Sequence, residues 1–186
     1  MIYPIVAYGD PILRKVADEV DENHPDLQKI IDDMFETMYK SSGVGLAAPQ
    51  IGKSIRIFVI DAEPFAEDEP GLEDFKKVFI NPIMIEEFDE KWNFNEGCLS
   101  IPKVREDVER HSKITIEYYN ENFELVEETY GGLAARIIQH EYDHLEGVLF
   151  VDRIPPLKKK MLEGKLRDIS RGLVKTDYKM KFPKRK

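Results

Sequence analysis

The sequence predicts an α+β fold in which mostly antiparallel β-sheet packs around a central helix carrying an H-E-x-x-H sequence, with one helix towards each end of the chain. Three observations carry that expectation. Apolar residues recur at helical spacing in three separate stretches, strand-like runs lie between those stretches, and two of the runs are joined by hairpin-type turn residues. The chain has 186 residues, 42% hydrophobic and 34% charged, with ten Phe and eight Tyr, which suits one globular domain and excludes a disordered, collagen-like or coiled-coil chain. A single domain over residues 1–186 is expected, with a basic C-terminal helix and tail from about residue 155.

In residues 25–41, Leu27, Ile30, Ile31, Met34 and Met38 fall on one helical stripe, and Pro25 suits a first turn. The Gly-rich Gly43-Val44-Gly45-Leu46-Ala47-Ala48-Pro49-Gln50 then leads into residues 55–60, an apolar run with the character of a buried strand. Residues 61–74 are acidic and contain proline, as a surface excursion does, and residues 78–85 form a second strand that Pro82 marks as an edge or a bend. Ile114, Ile116 and Tyr118 alternate with Lys113, Thr115 and Glu117, and after Asn120-Glu121-Asn122 the chain returns over residues 123–129 as the other arm of a hairpin. Gly131-Gly132 opens the central helix, which runs to about Leu145 and is closed by Gly147. The last helix starts near Pro156 and turns Leu157, Met161, Leu162, Leu166 and Ile169 inward.

Charge is unevenly placed. Residues 1–152 hold 14 Lys and Arg against 33 Asp and Glu, whereas residues 153–186 hold 13 against 3. Such a basic tail either meets a polyanion, an RNA or a ribosome rather than DNA, or is a solvated helix and terminus. No apolar run approaches a membrane span, and Met1-Ile2-Tyr3-Pro4 has no basic or Arg/Ser-rich leader character, so a cytoplasmic protein without a membrane partner is expected.

The sharpest feature is Gln139-His140-Glu141-Tyr142-Asp143-His144. Helical positions four apart differ by only about 40° in direction, so both imidazoles leave one face and can chelate one ion. Leu133 and Ile137 share that stripe, which turns the histidines inward, where uncompensated polar groups are costly. A metal would compensate them, and Glu141 would stand beside it to move a proton. The alternatives are a chance pattern on a solvated helix, and a Glu141 that merely orients an imidazole.

A hydrolytic site of this type uses three protein ligands and leaves one position open. Cys98, the one cysteine, is a packed thiol, a nucleophile or the third ligand; it sits in Glu96-Gly97-Cys98-Leu99-Ser100, whose glycine allows close backbone approach. Glu163, 19 residues after His144, is the competing ligand of a peptidase-type site, although it falls in the basic C-terminal helix. His24 and His111 have no ligand spacing.

Taken together, Gly43–Gln50, Glu96–Ser100 and Gln139–His144, in this order and with Cys98 standing 42 residues before His140, resemble the peptide deformylase family, which removes the formyl group from nascent bacterial and organellar proteins. The similarity also takes in Gly9-Asp10-Pro11-Ile12-Leu13-Arg14 and so most of the first 150 residues. It implies that Cys98, His140 and His144 bind one divalent ion, that Glu141 acts first as base and then as acid, and that Gln50 and the Leu99 N–H stabilise the oxyanion. Iron(II) is the ion implied in the cell, with zinc, nickel or cobalt in purified protein. The implied substrate is an N-formylmethionyl peptide, held by Val44 and Gly45 through backbone pairing, with Leu133, Ile137, Phe94 and Gly97 about the methionine and Arg105 beyond it. Arg136 departs from the more apolar residue of some relatives, and its stem is expected over the pocket rim. Glu96 with Arg110 either braces the cysteine loop or, like Arg105, is a plain surface charge.

Overall fold

A computed structural model describes residues 1–184 of the chain; Arg185 and Lys186, the end of the basic tail, lie outside the described residues. A two-residue strand, β1 (Ile5–Val6), is followed by a 3-10 turn at Pro11–Arg14, where the Asp10 carboxylate accepts from the Ile12 N–H. Helix α1 (Leu27–Lys40) begins two residues past Pro25 and buries Ile30, Ile31, Met34, Phe35 and Met38, the expected stripe with Phe35 added and Leu27 only partly buried at its start.

The main sheet is antiparallel throughout, in the order β2 (Gly45–Ala47), β3 (Ile57–Asp61), β4 (Lys76–Cys98), β5 (Ile101–Tyr119) and β6 (Leu125–Gly131). Helix α2 (Gly132–Leu145), the H-E-x-x-H helix, packs against β2, β3, β5 and β6. Its inner face joins Phe58, Ile60, Phe79, Ile114, Ile116 and Tyr118 in one core. The α+β class and the helix-centred arrangement are therefore as the sequence predicts.

Strands β4 and β5 are far longer than residues 78–85 and 113–119 suggested. Over residues 86–91 the chain reads Glu-Glu-Phe-Asp-Glu-Lys, whose solvated faces hide the apolar alternation, and only the ladder to β5 identifies it as strand. The bend expected at Pro82 is present as a register shift between Ile80 and Ile83. Asn120 closes the β5–β6 turn, its side-chain oxygen accepting from the N–H groups of Asn122 and Glu124. The acidic excursion is not wholly outside: Ala62 and Leu72 are buried and Phe65 packs against the core.

Helix α3 (Pro156–Ser170) corrects one expectation. Leu157 and Met161 are 72% and 77% exposed, and Leu166 and Ile169 are the buried residues, with Leu162 packed beside them. The N-terminal half of α3 runs past the edge of the core, so a helical stripe exists without a surface to cover it. Beyond α3, β7 (Met180–Lys181) pairs in parallel with β1, a long-range contact with no local sequence signal. Among the described residues no helix is long and apolar enough to cross a membrane.

Candidate metal centre

The two histidines leave α2 one turn apart, ring centroids 5.3 Å from each other, and point at the end of β4. There Cys98 Sγ lies 3.3 Å from His144 Nε2, and one ligand atom from each of Cys98, His140 and His144 falls within 4.8 Å of the others. A tetrahedral ion with Zn–S near 2.3 Å and Zn–N near 2.05 Å holds its sulfur and nitrogen ligands roughly 3.6 Å apart, so the spacing suits one ion. The donor set itself, one thiol and two imidazoles, suits borderline metals.

Glu96 fixes the tautomer of His140. Its Oε1 accepts from His140 Nδ1 at 2.8 Å and from Arg110 at 2.9 Å, while Oε2 accepts from Arg110 Nε at 2.7 Å and Arg136 at 2.8 Å. With Nδ1–H engaged, His140 offers Nε2 to the site. Burial opposes a charged His140, but Cys98 and Glu96 outweigh it and hold the imidazole well above its ordinary value. Burial together with the field of His140 holds His144 well below its ordinary value, in the neutral form a ligand requires.

Glu96 and Arg110 are each only 4% exposed and Arg136 2%, so none is a surface charge, and the bracing role is the one the structure contains. Arg136 also departs from the expected rim position. Its stem borders the cleft, but its guanidinium is buried, donating to the Trp92 and Val108 carbonyls and lying over the Trp92 ring. Arg110 continues the network to Asp143, which Arg153 grips through both oxygens, so the helix residue before His144 is anchored as firmly as the cysteine strand.

Glu141 borders the same cleft as Cys98 and His140 and lies against β2. A Cβ built on Gly45 would lie 2.5 Å from Glu141 Oε1, so only glycine lets β2 come this close. Among the described residues Glu141 Oε2 has no hydrogen-bond partner, and burial pushes this carboxyl up to about 7, the range in which it can both take and return a proton. Gln50, on the 3-10 turn Ala48–Ile51, accepts from the Ala47 N–H through Oε1 at 2.9 Å. Its NH₂ is thereby turned inward, 3.3 Å from Ser100 Oγ and 3.5 Å from Cys98 Sγ.

A cleft of about 610 Å³ opens on this cluster. It is bordered by Val44, Gly45, Gln50, Phe94, Gly97, Leu99, Arg105 and Ile137, so most of the substrate residues named above come together. Leu133 does not border it; it packs into the core, and its N–H donates to Glu69. Arg105 is exposed and holds Asn95 through Nε at 2.8 Å. Glu163 is exposed on α3 and lines a separate groove with Tyr8, Lys159 and Lys160, so it is not a ligand with the histidines. Phe65 and the segment Lys175, Thr176, Asp177 and Tyr178 border the site unannounced by any motif.

The chain matches the polypeptide deformylase family model over residues 2–160. It is 55% identical to a peptide deformylase of Christiangramia forsetii, over 100% of this chain and 98% of that one, and 53% identical to one of Flavobacterium psychrophilum, over 100% of both. Among solved structures, a Legionella pneumophila peptide deformylase matches with a TM-score of 0.79 at 40% identity, covering 93% of this chain and 98% of the other. A Thermotoga maritima peptide deformylase gives 0.75 at 45% identity, covering 84% and 99%. Because the matched region contains both the cysteine turn and the histidine helix that folding brings together, the chain belongs to the polypeptide deformylase family.

Proposed function

We propose that the chain hydrolyses the formamide at the N-terminal formylmethionine of nascent proteins, releasing formate and a free amine. The observation that carries this reading is the buried Glu141, which borders one cleft with Cys98 and His140 of the Cys98, His140 and His144 cluster, where the edge strand β2 begins with a glycine. Cys98, His140 and His144 would hold one divalent cation, which when bound makes a water acidic near neutral pH and polarises a carbonyl. Iron(II) is the ion we assign in the cell, and zinc, nickel or cobalt suit the same donors in purified protein.

The chain's own groups do the rest. The extended substrate pairs with the backbone at Val44 and Gly45, and its methionine side chain lies against Ile137 and Phe94 near Gly97, with Arg105 at the outer cleft. Glu141 takes a proton from the attacking water and passes it to the departing amine nitrogen. The Gln50 amide and the Leu99 N–H donate to the carbonyl oxygen as charge builds there. Glu96 keeps His140 from swinging, and Asp143 does the same for the adjoining turn of α2.

We assign this activity to residues 1–186 as one domain acting in the cytoplasm. Contact of its basic tail with the ribosome is part of the proposal, although Arg153, Lys158 and Lys159 already pair with Asp143, Glu106 and Asp152. Charge reversal at Lys179, Lys181 and Lys184 tests that contact: weaker ribosome co-sedimentation at low salt supports it, and unchanged co-sedimentation removes it. The catalytic reading is tested with Glu141→Gln, which should keep the ion yet release formate from a formyl-Met peptide at least a hundredfold more slowly. Wild-type turnover in that variant would overturn the role of Glu141.

A further inference from the structure

The region matched by the family model ends at residue 160, yet Lys175, Thr176, Asp177 and Tyr178 form one wall of the cleft. They arrive there by a defined route. After α3 the chain turns back and pairs with the first strand, Ile5 N–H donating to Lys179 O at 2.8 Å and Ala7 N–H to Lys181 O at 2.9 Å. Tyr178, just before this pairing, therefore sits over the turn that joins β4 to β5. Its hydroxyl donates to the Leu99 carbonyl at 2.8 Å, and its half-buried ring packs with Leu99 in the core that α1 covers. The next carbonyl, that of Ser100, accepts from the Tyr8 N–H at 2.9 Å. Two consecutive carbonyls of the cysteine turn are thus held from outside it, one by each end of the chain.

We propose that Tyr178 is a positioning residue of the hydrolytic site: by holding the Leu99 carbonyl it sets the rotation of the Cys98-Leu99-Ser100 turn, and so the aim of the Cys98 thiol and the Leu99 N–H. A β4–β5 ladder alone does not fix that rotation, because the register shifts between the Gly97 and Cys98 pairs. The ring fixes the place of the tail, while the hydroxyl contributes the aim. Phenylalanine at this position separates the two.

The proposal rests on the deformylase reading, and the test keeps the two apart. Tyr178→Phe should leave thermal unfolding and metal content near those of wild type, lower kcat about tenfold, the scale of one well-placed hydrogen bond, and leave KM for a formyl-Met peptide within about twofold. The visible absorption of the cobalt(II)-loaded protein, which reports the thiolate–metal geometry, should shift. An unchanged kcat, a rise in KM alone, or a fall in kcat matched by an equal loss of folded protein overturns the proposal. Should wild type release no formate, the deformylase reading fails and the cobalt spectrum decides: a shift in Tyr178→Phe supports the positioning role, and an unchanged spectrum ends it.

Discussion

Helix α2 and the Cys98 turn contribute to the same centre by opposite means. In α2 the geometry is local: two histidines and a glutamate are aimed by helical repeat, and the helix needs only to be docked. In the turn it is borrowed. Cys98 and Leu99 are placed by the β4–β5 pairing, by Gln50 and Ser100, and by contacts from Tyr8 and Tyr178. The difference teaches that a ligand set of this type is only as rigid as its non-helical member, and that the residues governing that member are scattered along the chain.

The largest effect should come from removing the ligand proposed in the turn. Cys98→Ala is expected to lose stoichiometric metal and essentially all formate release, as His144→Ala should, with metal analysis of purified variants as the check. Metal retained by Cys98→Ala would mean that the helix suffices and the two regions are not equal partners. Gln50→Ala comes next. Loss of one oxyanion donor costs about 3 to 4 kcal/mol, so turnover should fall a hundredfold or more with the ion still bound. Normal turnover would remove Gln50 from the chemistry.

On the helix side, the cost of burying Glu141 has a readable sign. Its folded-state value is raised to about 7, above the ordinary carboxyl value of 4.5, so the folded metal-free protein binds the extra proton between these limits and loses stability as pH rises through them. Glu141→Gln should therefore stabilise the metal-free protein at pH 8 by up to about 3 kcal/mol, with the difference vanishing near pH 4. Urea unfolding at the two pH values measures it, and a difference of equal size at both would contradict the burial account. The smallest effect concerns how α2 is docked. Glu69, from the acidic excursion, accepts from the Leu133 N–H at 2.9 Å and fills the space where a side chain on Gly132 would stand. Glu69→Ala should cost about 1 kcal/mol of stability, the usual worth of a helix N-terminal acceptor, while kcat stays the same.

The same contrast explains what could be read from the sequence. The helices, the core strand at β3, the β5–β6 hairpin and the His140, Glu141 and His144 triad are encoded by spacing within a few residues, and they fold as that spacing says. Cys98 is different. Its surroundings could be read only as part of a resemblance, because nothing in Glu96-Gly97-Cys98-Leu99-Ser100 announces that Arg110 and Arg136 converge on Glu96. Charged residues look solvent-exposed in a sequence, and these three are buried because they satisfy one another. Tyr178 reaches the cleft through a contact 79 residues away in sequence and Phe65 from the acidic excursion, and no local pattern marks either. Leu157 and Met161 show the converse, a clear helical stripe that the fold leaves in solvent.

The claim that both regions converge on one catalytic ion is tested most directly by measuring bound metal and formate release on the same anaerobic preparation, before chelation, after it, and after iron(II) is restored. The structure predicts one ion per chain, release from a formyl-Met peptide in proportion to the ion, and recovery when the ion returns. Undiminished release from metal-free protein would contradict it.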